Sequence, residues 1–337
     1  MKHRLAALFL AAALVAIYFC DGAHSRSRVI FGGVIYGMFL AFFSFIISTA
    51  NGVPISIAWR QALLAVIAGS LTGVFATVIL PIVEKIFGRY SNIALIEYTD
   101  FNNPLLRRLQ IEAPGTYHHS VMVSFLAEHA AAAVSANPMV CRIGALYHDI
   151  GKIIKPEFFS ENQGGGKNPH DDQNPSMSAL IIKNHIKEGV ELARIAKMPP
   201  QVIDAIKQHH GTSIISYFYN KAVKLAKAQN VSDPLQALRD AGIDESTYRH
   251  EGVKPQTVEN AIIMLADSCE AASRSLKRVT QHGITELVNA IVKSKIDDGQ
   301  LDSCPITIKQ ISKIKQSFVF TMMNMLHTRV EYNNAKK

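Results

Sequence analysis

Seven residues between positions 119 and 267 stand out as candidates to hold metal ions. His119 follows His118 in "TYHHSVMV", and His148 and Asp149 are adjacent in "ALYHDIGK". His185 lies in "IIKNHIKEG", His209 and His210 are adjacent in "AIKQHHGT", and Asp267 lies in "IIMLADSCEAA". Apolar, helix-forming sequence flanks each of them, so each is expected to face inward. A buried imidazole or carboxylate is costly unless it is paired or metal-bound. The set holds five imidazoles and two carboxylates. One octahedral ion takes six ligands. Seven, one of them a bridging carboxylate, with a bridging water and open positions, suit two ions. Nitrogen and oxygen donors without thiolate favour iron or manganese, with zinc left open. Two such ions roughly 3.5–4 Å apart can clamp a phosphoryl group and generate a hydroxide between them. The plain alternative, a buried His148-Asp149 polar pair, needs none of the other five residues.

The elements that must position these residues are helices. From Thr116 the pattern is helical, with Val121, Phe125, Leu126 and Ala130 at helical spacing. A second helix is expected from about Pro138 to His148. A third is expected over "PSMSALIIKNHIKEGVELARIAKM", in two pieces broken near Gly189, and a fourth from Pro200 toward Gly211. "VENAIIMLADSCEAASRSL" is a long helix. "IKQISKIKQSFVFTMMNMLHTRV" closes the fold, with Ile311, Ile314, Phe318, Met322 and Met325 on one stripe that reads as core. Residues 160–175, with three consecutive glycines and two Asn-Pro pairs, read as a long loop. The glycines lack the Gly-Lys-Ser/Thr order of a phosphate loop. Residues 230–255 read as a small insertion. No strand alternation is present, so this part is expected to be all-α. His3, His24, His129, His250, His282 and His327 read as surface or satisfied core residues.

Upstream the composition changes. The chain has 337 residues and is 48% hydrophobic, with three uncharged apolar stretches in the first 83 residues. A spanning helix needs about 20 apolar residues. A transmembrane region over 1–87 is therefore expected, with spans at 4–20, 29–48 and 61–83. A linker at 88–104 and a helical domain at 105–332 follow. "MKHR" before the first stretch also resembles a signal peptide, but no small-x-small cleavage site closes it. Residues 1–83 carry five Lys/Arg and one acid, leaving 30 basic and 26 acidic residues, so each part has a net charge of +4. A small excess of this kind, with no basic face interleaved with aromatics, argues against nucleic acid as a partner. The four cysteines show no pairing or Cys-x-x-Cys spacing, which suits a reducing compartment.

The ordered motifs "NPLLRRLQIEAPGTYHHSVMV", "ALYHDIGK", "FFSENQ", "NPHD", "HHGT" and "MLADSCEAASRS" carry a resemblance to a family. Over about residues 60–330 the chain resembles the HD-domain metal-dependent phosphohydrolases. Within them it is most similar to the membrane-anchored seven-transmembrane HD proteins, a group that includes PgpH-type cyclic di-AMP phosphodiesterases. The resemblance implies transmembrane helices followed by a cytoplasmic all-helical HD domain at the inner cell membrane. It also implies a dinuclear site made by His119, His148, Asp149, His185, His209, His210 and Asp267, with Asp149 bridging two divalent ions. Lys152, one turn past the His-Asp pair, becomes a candidate to stabilise charge on a phosphorane, or is a helix C-terminal cation. His170 and Asp171, on the long loop, are weaker candidates for substrate contact. The expected partners are a cyclic dinucleotide and the bilayer, and a homodimer is allowed. The Gly-Tyr-Pro motif of relatives that cleave cyclic di-GMP is absent from the sequence. Another nucleotide phosphate, including an alarmone, or a receptor that binds without turnover, are the alternatives. Members of the group typically have seven spans and an extracytoplasmic sensing domain. Three spans here read as a shortened relative or an incomplete product.

Overall fold

The computed structural model describes residues 2–23, 25–88, 90–164, 168–227, 244–276 and 278–327. The chain divides into two compact units, Met1–Tyr98 and Thr99–Lys337.

The first unit holds α1 (Lys2–Cys20), α2 (Arg26–Ala50), α3 (Ile55–Phe87) and the short α4 (Asn92–Glu97). α2 and α3 are long and apolar enough to cross a membrane, while the apolar part of α1, Ala7–Cys20, is shorter. α2 and α3 overrun the predicted spans at both ends. Their backbones touch, because the contact is made of glycine. A Cβ on Gly33 would lie 2.6 Å from the Gly69 carbonyl oxygen and the Gly73 Cα, and one on Gly37 would lie 2.9 Å from Val66 Cα. Small residues at such a contact are what allow helices to associate where apolar surface alone gives no preference. Large apolar side chains such as Phe42, Leu63, Phe75 and Val78 stay exposed, as suits a lipid-facing surface. Within the predicted linker, the left-handed Gly88 ends α3 (φ 61°) and Ser91 caps α4. Buried Glu84 of α3 accepts a hydrogen bond from the Ser91 N–H at 3.0 Å.

Among its described residues the second unit is all-α, with one isolated bridge, Ile214 to Arg249, and no strand. It contains α5 (Pro104–Glu112), α6 (Pro114–Ala133), α7 (Pro138–Tyr147), α8 (Pro175–Ile195), α9 (Pro200–Gln208) and α10 (Ser216–Lys227). It continues with α11 (Val258–Ser273), α12 (Gln281–Asp297) and α13 (Ile308–His327). Asn-Pro pairs start many of these elements. The side chains of Asn103, Asn137 and Asn174 accept from N–H groups of the first turn, and proline follows at the first helical position. The two Asn-Pro pairs of the expected long loop do the same. Asn168 caps a 3-10 turn (Pro169–Asp172) and Asn174 caps α8. The glycine run and the 230–243 part of the expected insertion lie outside the described residues or at their edge.

α6 runs through the middle of the core. Val123, Leu126, Ala127, Ala130 and Ala131 pack with Cys141 and Ala145 of α7, Ile262 and Leu265 of α11, and Ile314, Phe318 and Met322 of α13. The Met-rich stripe is therefore core, as expected. α8 is continuous across Gly189, contrary to the predicted break. That glycine is not a hinge: it packs against Gly151, whose N lies 3.3 Å from a Cβ built at Gly189. α12 lies in a stretch where no helix was predicted. It buries Ile284, Val288 and Val292, a clean i, i+4, i+8 stripe, behind a Thr280 cap.

Candidate metal centre

Five helices bring the seven sequence-predicted ligand residues together. His119 lies in α6, His148 follows α7, His185 lies in α8, His209 and His210 follow α9, and Asp267 lies in α11. Asp149 opens a 3-10 turn (Ile150–Ile154) that lies directly on α8. Only glycine at position 151 permits this. A Cβ there would collide with the His185 carbonyl and come within 2.6 Å of the Gly189 nitrogen. Six of the seven are buried, and His210 is partly exposed.

The ligand atoms form two groups, each within 4.8 Å: Asp149 with His185, His209 and His210, and Asp149 with His119, His148 and Asp267. Asp149 belongs to both. Its Oδ1 is 3.3 Å from His185 Nε2 and 3.5 Å from His209 Nε2, and its Oδ2 is 3.2 Å from His148 Nε2 and 3.6 Å from His119 Nε2. Asp267 also reaches across. Its Oδ1 is 3.0 Å from His119 Nε2, and its Oδ2 is 3.5 Å from His210 Nδ1.

The imidazoles are aimed by bonds on their far sides. Nδ1 of His148, His185 and His209 meets the carbonyl three residues back, at Ala145 (2.7 Å), Ile182 (2.5 Å) and Ile206 (2.9 Å). A carbonyl only accepts, so Nδ1 carries the proton and Nε2 faces the centre. His119 uses a carboxylate instead: its Nδ1 bonds to Glu270, which Arg274 holds at 2.9 Å.

The charges are uneven. Burial opposes a proton on His148, but Asp149 and Asp267 outweigh it and raise the pKa to about 10. For His119, burial is likewise outweighed, by Asp267 and Glu270, and the pKa rises. Burial pushes His185 down to about 4, with Asp149 only partly opposing, and it pushes His210 well down with help from His209 and His250. Burial works against the charges of Asp149 and Asp267, yet Lys152 and His148 for the first, and His119 and His148 for the second, hold both well below the ordinary carboxylate range. Two fully buried atoms, His148 Nε2 and Asp149 Oδ1, make no hydrogen bond among the described residues. Orphaned polar atoms inside a nitrogen and oxygen donor set fit divalent ions.

Lys152 Nζ lies 2.7 Å from both Asp149 Oδ2 and Glu161 Oε1, above the Phe159 ring. Glu161 and Asn162 of the "FFSENQ" loop clasp the start of α6 through Thr116, at 3.1 Å each. Burial opposes the charge on Glu161, but Lys152 brings its pKa down to about 2. A cavity of about 300 Å³ opens on the centre, with His119, Lys152, Glu161, His210 and Asp267 in its wall. A larger hollow, about 540 Å³ between α12 and α13, has Lys315 as its one charged lining residue and holds no comparable chemistry.

His170 and Asp171 do not line the cavity. The His170 ring is buried against Phe218 and Phe158, with Nε2 2.9 Å from the Phe158 carbonyl, and Asp171 is exposed near Lys221. His118 is exposed. His250 departs from the surface or satisfied-core expectation. It is buried, it stacks on His210 at 4.3 Å, it lines the cavity, and its Nδ1 has no hydrogen bond among the described residues. Its local sequence gives no sign of this, because the approach is made by the Ser213 carbonyl accepting from the His250 N–H at 3.0 Å. Glu270, one turn past Asp267 on the same helix face, was legible in principle. Lys295 was not, since it comes from the helix that patterning passed over.

Paired histidines and aspartates gathered in this way by a helical bundle are the arrangement of an HD-class domain. Residues 116–272 match the HD domain family, and residues 1–91 match the family described as "7TM receptor with intracellular HD hydrolase". The cyclic-di-AMP phosphodiesterase PgpH of Bacillus subtilis is 35% identical across 98% of this chain and 45% of its own length. That of Listeria monocytogenes is 37% identical across 92% and 42%. The crystal structure of the L. monocytogenes PgpH HD domain matches with a TM-score of 0.60 at 42% identity, covering 67% of this chain and 100% of that one. The same domain in complex with cyclic-di-AMP matches with a TM-score of 0.61. The chain belongs to the seven-transmembrane HD-domain hydrolase family. It spans under half the length of the curated relatives it matches.

Proposed function

We propose that this chain is a membrane-held phosphodiesterase that opens cyclic di-AMP to linear 5′-pApA. The observation that carries this is the pair of ligand groups joined through Asp149 at the floor of a polar, cation-bearing cavity. The relatives named as cyclic-di-AMP phosphodiesterases, and the HD domain solved with that nucleotide, support the substrate. In the reaction, water adds across one P–O3′ bond. The phosphorus gains the water oxygen, and the 3′ oxygen leaves carrying a proton.

Two divalent ions, iron or manganese, would supply Lewis-acid neutralisation of the phosphoryl oxygens and an activated water nucleophile. His119, His148, Asp149 and Asp267 would hold one ion, and Asp149, His185, His209 and His210 the other. Lys152 is anchored to the cavity wall by Glu161, so its ammonium stays in place when Asp149 is engaged elsewhere. Asp149 and Glu161 raise its pKa against the effect of burial. It is therefore a fixed cation beside the phosphoryl group, not a base.

We assign the first unit to the cell membrane, with the HD part on the cytoplasmic side. Arg26 and Arg28 at the start of α2, and Lys85 near the end of α3, flank the same end of an antiparallel pair, as the positive-inside rule requires. Cytoplasmic reporter activity on a C-terminal fusion tests this.

The activity is tested with the full chain in detergent, loaded with manganese or ferrous iron, on cyclic di-AMP, cyclic di-GMP and bis-p-nitrophenyl phosphate. The expected result is conversion of cyclic di-AMP to pApA, lost by more than about a hundredfold in Asp149→Ala. No turnover of any substrate by protein holding two equivalents of metal would overturn the proposal.

A further inference from the structure

Three cations face the cavity, and two of them are already matched. Lys152 has two carboxylates at 2.7 Å, and Arg274 has Glu270 at 2.9 Å. Lys295, in the last turn of α12, differs. Its Nζ donates to Ser213 Oγ at 2.8 Å, and among the described residues no carboxylate oxygen lies within 4 Å of it. Burial pushes its pKa below that of an ordinary lysine, although Asp267 and Asp298 oppose this at longer range. An ammonium sunk in a wall without a counter-charge is costly, and an anion brought by a ligand relieves that cost.

The neighbouring groups suit an anion. Ser213 Oγ accepts from Lys295, which leaves its own proton to donate. Ser268 lines the same cavity, and its hydroxyl makes no hydrogen bond among the described residues. Both serines are tied to the metal ligands. Ser268 follows Asp267 in α11, and the Ser213 N–H donates to the His210 carbonyl at 3.1 Å. A phosphate here would therefore sit at a fixed offset from one held over the ligand groups.

We infer that Lys295, Ser213 and Ser268 seat a second phosphate of the substrate, the one not being cleaved. This rests on the phosphodiesterase reading and deepens it. It makes the site selective for nucleotides with two backbone phosphates over those with one.

The test compares cyclic di-AMP with linear ApA, which has a single phosphodiester, using the full metal-loaded chain in detergent. In Lys295→Met the preference for cyclic di-AMP, taken as the ratio of the two KM values, should fall roughly tenfold or more. Lys295→Arg should restore most of it, and Ser268→Ala should lower it by a smaller factor. Bound metal and the circular dichroism spectrum identify a variant that has merely failed to fold. An unchanged ratio in folded Lys295→Met and Ser268→Ala would overturn the inference. If the unaltered protein cleaves neither compound, the phosphodiesterase reading fails. The same comparison made by equilibrium binding then decides the seat, with an equal preference in both proteins counting against it.

Discussion

His119 differs from the other centre histidines in what orients it. His148, His185 and His209 lean on carbonyls of their own helices, whereas His119 leans on Glu270 from another helix. Removing that partner leaves only Asp267, on the side that faces the centre, to orient the ring. Glu270→Ala is expected to weaken metal binding by roughly 10–100-fold, measured by competition with a chromogenic chelator. The two groups should also load differently with pH. A ligand imidazole must lose its proton to bind metal. His148 keeps its proton up to a pKa of about 10 because Asp149 and Asp267 outweigh burial, and His119 is raised too, while His185 is already neutral above about 4. Between pH 6 and 9, loading of the His119–His148 group therefore releases protons, and its affinity rises with pH by roughly tenfold per unit for each proton lost. Calorimetry in buffers of different ionisation enthalpy reads this directly. No proton release on filling both groups would contradict it. All seven candidate residues that the structure gathers could be picked out from sequence, because a polar residue inside an apolar helix advertises itself. His250 and Lys295 could not, because each is polar where polar residues are ordinary, and only the folded chain points them at the cavity.

At the scale of elements, the turn after α7 matters as much as any ligand. Gly151 allows Asp149 to reach His185 and His209, because the turn lies on the α8 backbone with no room for a methyl group. Gly151→Ala should cost roughly 3 kcal/mol and should separate the two ligand groups. The checks are a lower urea midpoint together with loss of metal, whereas a lower midpoint with full metal content would show that the turn had been accommodated. Helix periodicity revealed most of the bundle in advance. Gly189 misled, since a glycine that admits a neighbouring backbone looks, in sequence, like one that breaks a helix. α12 was passed over although Ile284, Val288 and Val292 repeat every four residues. The polar residues between them dilute the stripe, and its weight comes only from the core it meets.

At the scale of the whole molecule, the apolar stretches marked the membrane part, but not how its helices meet. That depends on Gly33, Gly37, Gly69 and Gly73, whose positions are meaningful only once α2 and α3 are set against each other. Gly69→Leu is expected to lower the stability of the pair by roughly 1–3 kcal/mol. Thermal unfolding in detergent, followed by disulfide trapping between cysteines placed on α2 and α3, measures it. Unchanged trapping would show that the helices do not depend on this contact.

The joint at the end of α3 carries a mechanical consequence. Within the stretch expected to be a linker, Glu84 bonds to Ser91, Gly88 sets the turn, and Arg26 of α2 pairs with Glu97 at 2.8 Å on the surface. α4 is thus strapped to both members of the pair. A shear or tilt of α2 against α3 would therefore displace α4 as well, because one of its two contacts moves with each helix.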